Sequence, residues 1–282
     1  MPAAKLVLAV DRFGEWAAAI DDWLAWLRSG ALRPATLELR TSQLRRFGLA
    51  HRDRGPFDVS TGDVAAWIGA RGWQAETIRS HRAALRSFYG WAHDSGITAT
   101  NPARLLRKVP AAPVRVRPAP ERAIDDAMAG ADPRLALMLL LGSRHGLRRA
   151  EIAGVHSGDL VEDLDGWTLI VHGKGGKDRD VPLLPAVAAA LRALPAGYAF
   201  PSPRSGHLTP AHVGKLLRRA LSTADARVTA HQLRHRYADV VYRETNNLVL
   251  LQELMGHASP ATTRRYIHPR STEKRAVSAT AA

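Results

Sequence analysis

The stretch Arg107-Lys108-Val109-Pro110-Ala111-Ala112-Pro113-Val114-Arg115-Val116-Arg117-Pro118-Ala119-Pro120 decides how this chain is organised. It holds four prolines in fourteen residues. Each removes a backbone donor and fixes φ, so no helix or central strand runs through it. It reads as an extended connector, whose cationic side chains suit a plain solvated linker or one that follows a phosphate backbone. The boundary therefore falls at 108–120, between an N-terminal part (1–107) and a C-terminal part (121–282). A chain of 282 residues is long enough for two domains.

On the N-terminal side the apolar residues recur at helical spacing. Trp16, Ile20, Trp23, Leu24 and Leu27 form one stripe over Glu15–Leu27. Pro34 suits the first turn of a second helix, with Leu37, Leu44 and Phe47 on its apolar side. Ser60-Thr61-Gly62-Asp63 before Val64, Trp67 and Ile68 has the form of a capped third helix. Thr77–Trp91 forms a fourth, with Ile78, Leu85, Phe88 and Tyr89 inward. This part is expected to be all-α.

On the C-terminal side, helices are expected over Pro120–Ala129 and Pro133–Ser143. Gly166-Trp167-Thr168-Leu169-Ile170-Val171 and Arg179-Asp180-Val181-Pro182-Leu183 flank a glycine-rich turn and read as a β-hairpin. Helical patterns resume from Pro185 through Leu194, then over Pro210–Leu221, Ala230–Tyr242 and Leu248–Met255. The expected fold is mostly α with a small β-hairpin: an all-α first domain and an α+β second one.

Charge narrows the partners. Lys and Arg total 40 against 26 acidic residues, a net charge of +14. The excess is spread along the chain, with 16 basic and 10 acidic residues up to position 110 and 24 and 16 beyond it. Two basic halves suit a clamp on a polyanion better than one basic tail does, and a basic surface is the footprint of nucleic-acid binding. A general solubility charge gives the same composition, so charge alone names no activity. There is no cysteine, hence no disulfide framework or thiolate metal site. The run Leu6–Val10 is too short for a signal-peptide core, and Leu135–Leu141 is far short of the roughly 20 residues a membrane span needs. A soluble cytoplasmic protein is expected.

Cutting a phosphodiester without a metal needs a nucleophile, cations on the non-bridging oxygens and an acid for the leaving oxygen. Four segments bear on that chemistry. In His145-Gly146-Leu147-Arg148-Arg149-Ala150-Glu151-Ile152, Arg148 follows a glycine break, and Glu151 lies one helical turn later, where it can steady a guanidinium. Such a pair is ordinarily a surface ion pair. In Gly173-Lys174-Gly175-Gly176-Lys177-Asp178-Arg179 a lysine stands at a hairpin tip, and the run lacks the P-loop pattern. In His231-Gln232-Leu233-Arg234-His235, His231 and Arg234 share a helix face. Last, Leu254-Met255-Gly256-His257 is followed nine residues after the histidine by Tyr266, preceded by Thr-Thr-Arg-Arg. A tyrosine among apolar residues is normally core, but these neighbours are polar and cationic.

Taken in this order, the four segments resemble the tyrosine recombinase (phage integrase) family, strongly over about residues 133–270. Met255 stands where that family usually has Leu, and Arg236 where Thr is common. The resemblance implies a site-specific recombinase, of the phage integrase type, that cleaves and rejoins DNA through a 3′-phosphotyrosine. A chromosome-dimer resolvase or a transposon recombinase is the alternative; a type IB topoisomerase shares the chemistry, but the two-domain layout and the motif spacing favour a recombinase. It implies Tyr266 as nucleophile, Arg148 and Arg234 as clamps on the non-bridging oxygens, and His257 as a further donor. It further implies Lys174 as general acid, His231 as general base and Glu151 as support. No cofactor or metal is implied. The implied partners are double-stranded DNA sites and a tetramer of the chain itself, with a directionality or host bending factor left open.

The first half agrees with the family's core-binding domain only in length and character. Arg79, Arg82 and Arg86 fall on one helix face and suit DNA or plain solvent equally. Fewer than about 15 residues precede the first helix, so no extra arm-binding domain is expected. The small-residue end, Ala276–Ala282, is read as a tail that frays, docks on a neighbouring subunit or serves as a degradation tag.

Overall fold

The computed structural model describes residues 11–30, 32, 34–110, 117–173, 176–222 and 227–256. The chain divides into two compact units, Met1–Pro113 and Val114–Ala282.

The first unit is built from α1 (Phe13–Ser29), α2 (Pro34–Ala50), α3 (Thr61–Gly69) and α4 (Ala75–Asp94). Its core is made by the stripes that the spacing picked out. Trp16, Ile20, Trp23, Leu44, Phe47, Val64, Leu85, Phe88 and Tyr89 are all buried, whereas Leu37 and Ile78 are only half-buried. The rings interlock edge to face, Trp16 on Phe47 at 5.4 Å and Trp23 on Phe88 at 5.7 Å between centroids. A reciprocal cap starts α3: Asp63 N–H donates to Ser60 Oγ at 3.2 Å, and Ser60 N–H donates to Asp63 Oδ2 at 2.9 Å.

The second unit places α6 (Pro133–Ser143) at its centre. This helix carries the apolar run Leu135–Leu141 and is covered on most sides, as an element apolar all round must be. Leu137, Met138, Leu139 and Leu141 pack in one cluster with Ile152, Leu169, Val171, Val181, Leu217 and Leu233. Around it lie α5 (Glu121–Ala129), α7 (Arg149–Ala153), α8 (Pro185–Arg192), α9 (Pro210–Leu221) and α10 (Ala230–Thr245), and α11 (Leu248–Met255) packs on the far part of α10 through Leu251 and Met255 against Ala238. Two of these helices start with a proline behind a side-chain cap. Asp132 caps α6 by accepting from Leu135 N–H at 2.8 Å, and Thr209 caps α9 by accepting from His212 N–H at 3.2 Å.

The expected hairpin is part of a three-stranded antiparallel sheet: β1 (Leu160–Asp163), β2 (Gly166–His172) and β3 (Asp178–Pro182). In its register Leu169 faces Val181 and Val171 faces Arg179. Strand β1 was not expected, because three of its four residues are exposed and it has no apolar alternation. Two-residue strands β4 (Pro201–Ser202) and β5 (Gly206–His207) form a second small hairpin. The fold is mostly α with small antiparallel sheets. No helix among the described residues is long and apolar enough to cross a membrane.

Candidate active site

Gly146 takes φ +66°, a region open to glycine, and a Cβ there would lie 2.3 Å from the Tyr237 ring. The turn lets the chain pass under α10 and start α7 immediately afterwards. Arg148 is the N-cap, in extended geometry, so its side chain leaves the helix end instead of lying along it. Glu151 folds back to accept from Arg148 N–H at 2.7 Å, which satisfies a donor the helix start leaves open.

That carboxylate is also the centre of an arginine cluster. Arg148 Nη1 donates to Glu151 Oε1 at 2.6 Å. Arg179 grips both oxygens, Nη1 on Oε1 at 3.0 Å and Nη2 on Oε2 at 2.8 Å. Arg234 Nη1 lies 3.6 Å from Oε2. The Glu151 side chain is only 5% exposed, and Arg179 and Arg234 are 8% and 2% exposed. Burial pushes the Glu151 carboxyl up, but the bonds and charges of Arg179, the Arg148 N–H and the charge of Arg234 outweigh it and hold the pKa down at about 2. The group stays ionised.

The same three guanidiniums meet the end of α11. Arg179 Nε donates to Leu254 O at 3.0 Å, Arg234 Nη2 to Met255 O, and Arg148 Nη2 to Gly256 O at 3.2 Å. Arg234 Nη1 donates in addition to Gly146 O. The last carbonyls of a helix lack partners within it and carry its negative end, so cations are the natural cap. Gly256, at φ +56°, closes the helix in left-handed geometry.

His231 is exposed in the first turn of α10, with its ring 4.0 Å from that of buried His235. Arg148, His231 and Arg234 line one open cleft of about 570 Å³, and Arg149, Lys215 and Arg218 share its wall. Sequence reasoning had not singled out those last three. The basic stripe of α9, Lys215 and Arg218 three apart, was the available sign. The structure thus brings Arg148, Glu151, His231 and Arg234 together. Lys174, His257 and Tyr266 lie outside the described residues. In the sequence Lys174 directly follows Gly173, whose N–H donates to Lys177 O at 3.0 Å, and His257 directly follows Gly256.

Arg79, Arg82 and Arg86 are on α4 of the first unit and belong to its local structure. Arg82 donates twice to Leu106 O, at 3.2 and 2.9 Å, Arg86 once to Arg104 O at 2.7 Å, and Arg79 pairs with Glu76 at 2.8 Å. The first unit has its own groove of about 810 Å³, walled by Arg28, Arg45, Arg46 and Arg71 beside Leu24 and Leu37.

Guanidiniums and an imidazole converging on an open cleft make an arrangement suited to an anion. The chain belongs to the phage integrase family, whose pattern matches residues 119–273. It is 33% identical to the tyrosine recombinase XerD of Caulobacter vibrioides, over 90% of this chain and 91% of that one. To the tyrosine recombinase XerC of Rhodospirillum centenum it is 34% identical, over 89% of this chain and 82% of that one. Its fold is also that of a lambda integrase dimer bound to a COC′ core site, with a TM-score of 0.72 at 20% identity, covering 90% of this chain and 77% of that one. XerH recombinase, in a post-cleavage complex with palindromic difH substrate, gives a TM-score of 0.71 at 17% identity over 99% and 98%. The chain is a tyrosine-type site-specific recombinase, an enzyme that breaks and rejoins DNA.

Proposed function

We propose that this recombinase integrates and excises DNA at short specific sites through a phosphotyrosine made on Tyr266. The observation that carries the reading is the convergence of Arg148, His231 and Arg234 on one cleft. In the reaction, Tyr266 Oη attacks phosphorus as His231 takes its proton. The bond from phosphorus to the 5′-oxygen breaks, and Lys174 protonates that oxygen. Arg148 and Arg234 hold the two non-bridging oxygens, whose charge rises in the transition state, with His257 as a further donor. Glu151 orients the arginines. The phosphotyrosine keeps the bond energy, so a 5′-hydroxyl from another strand reverses the step without ATP.

Residues 1–107, joined by the connector 108–120, also bind the duplex, with Arg79 and the guanidinium nitrogens of Arg82 and Arg86 that are not on Leu106 O and Arg104 O donating to its phosphates. Arg149, Lys215 and Arg218 contact phosphates beside the scissile one. Four protomers act on two sites in the cytoplasm, with a directionality or host bending factor as an additional partner. A resolvase of chromosome dimers is the second reading, favoured by relatives named XerD and XerC across most of the chain.

The test is recovery of protein-linked DNA from genomic fragments, followed by an exchange assay on a plasmid carrying two copies of each recovered site. Discrete sites that support exchange with wild type, and no linked DNA with Tyr266→Phe, are expected. Relaxation without exchange means a topoisomerase. Linkage that survives Tyr266→Phe contradicts the proposal.

A further inference from the structure

The roles above leave Arg179 without one, although its side chain is 8% exposed and makes three hydrogen bonds. Burying an ion pair seldom stabilises a fold beyond what apolar side chains of the same volume achieve, so a buried arginine asks for another explanation. Its geometry supplies one. Arg179 is the only guanidinium here that places one nitrogen on each oxygen of Glu151 among the described bonds, at 3.0 and 2.8 Å. Its third nitrogen holds Leu254 O at 3.0 Å, two residues before the glycine that leads into His257. It also stands on β3, five residues after Lys174. Gly256 is part of the same fit, since a Cβ there would lie 2.9 Å from Arg179 Cδ.

A charge count says what this does. Arg148, Arg179 and Arg234 with ionised Glu151 carry a net +2. Without Arg179 the carboxylate is shared by Arg148 and Arg234 alone, and the net falls to +1. A phosphoryl group under attack gathers negative charge on its non-bridging oxygens, and a clamp half-neutralised by its own carboxylate holds that charge less well.

We propose that Arg179 is a positioning residue for strand cleavage: by taking a share of the Glu151 carboxylate and of the end of α11, it lessens what Arg148 and Arg234 give to them and so frees more of their charge for the scissile phosphate. The inference rests on the assignment of Arg148 and Arg234 to that phosphate. It makes no contact with DNA part of the role, which separates it from the clamp arginines themselves.

The experiment compares single-turnover formation of the covalent adduct on a nicked substrate with a normal phosphodiester, and on one with a neutral methylphosphonate at the cleaved position. Arg179→Gln is expected to slow the diester reaction about 100-fold, the scale on which one preorganised donor acts. Its DNA affinity should stay within about threefold, and its deficit should shrink below about tenfold on the methylphosphonate, which has one non-bridging oxygen in place of two and gathers one negative charge fewer under attack. A merely structural role predicts the same loss on both substrates, and that result overturns the proposal, as does a diester rate within about threefold of wild type. If Arg179→Gln does not fold, Arg179→Met is read the same way, because it likewise removes both the charge and the two-oxygen grip while filling the buried volume. A diester-specific loss supports the proposal there, and equal rates or equal losses overturn it. Should Arg148→Ala cleave normally, the phosphate assignment itself has failed. Should Arg148→Ala collapse while both Arg179 variants cleave like wild type, only the role of Arg179 has.

Discussion

Glu151 concentrates the energetics of the site in one carboxyl. Its ordinary pKa of 4.5 is pulled to about 2 against the effect of burial by the bonds and charge of Arg179, the Arg148 N–H and the charge of Arg234. A carboxyl lowered by folding stabilises the native state above its unfolded pKa, and that stability is lost as pH falls through the folded value. The contribution here is on the order of 3 kcal/mol, present above about pH 4.5 and gone near pH 2. Urea unfolding at a series of pH values should show this slope in wild type and lose it in Glu151→Gln. The variant should also be less stable at neutral pH by about 3–5 kcal/mol, since it leaves buried guanidiniums without their anion. A variant as stable as wild type at pH 7 would remove Glu151 from the centre of the cluster.

At the scale of elements, the turn at Gly146 sets where α7 begins and hence where Arg148 emerges. Gly146→Ala should lower the melting temperature and the cleavage rate together, because the added Cβ meets both an unfavourable φ and the Tyr237 ring at 2.3 Å. Thermal melts and adduct formation check it; an unchanged melt argues that the turn relaxes freely. Elements with strong local signals were legible in the sequence. Pro133 and Pro210 with their capping Asp132 and Thr209 give the starts of α6 and α9 to the residue. Strand β1 was not legible, for an edge strand facing solvent needs no alternation and takes its place from pairing with β2. Arg179 shows the intermediate case. Its strand was read correctly, and period-two geometry puts it on the face of buried Val181, so an inward arginine was implied. Its partner was not, because Glu151 and Leu254 reach it only through the tertiary fold. The arginines of α4 run the other way: their spacing suggested a shared outward face, whereas Arg82 and Arg86 turn to backbone carbonyls of Leu106 and Arg104.

For the whole molecule the governing quantity is charge. A net +14, spread over both parts of the chain, predicts DNA binding that weakens steeply with salt through counterion release. Lys215 and Arg218 on the cleft wall should each account for about one released counterion. Replacing either with Ala should flatten the plot of log affinity against log salt by roughly one unit on every DNA sequence alike. A loss confined to particular base pairs would instead mark a base-reading contact.

The covalent chemistry is tested most directly on the protein–DNA adduct itself. Trapped on a nicked substrate and digested with trypsin, it should yield the peptide Tyr266-Ile267-His268-Pro269-Arg270 carrying a nucleotide through its 3′-phosphate, with a free 5′-hydroxyl on the released strand. A nucleotide on any other residue, or a linkage to a 5′-phosphate, would contradict the account.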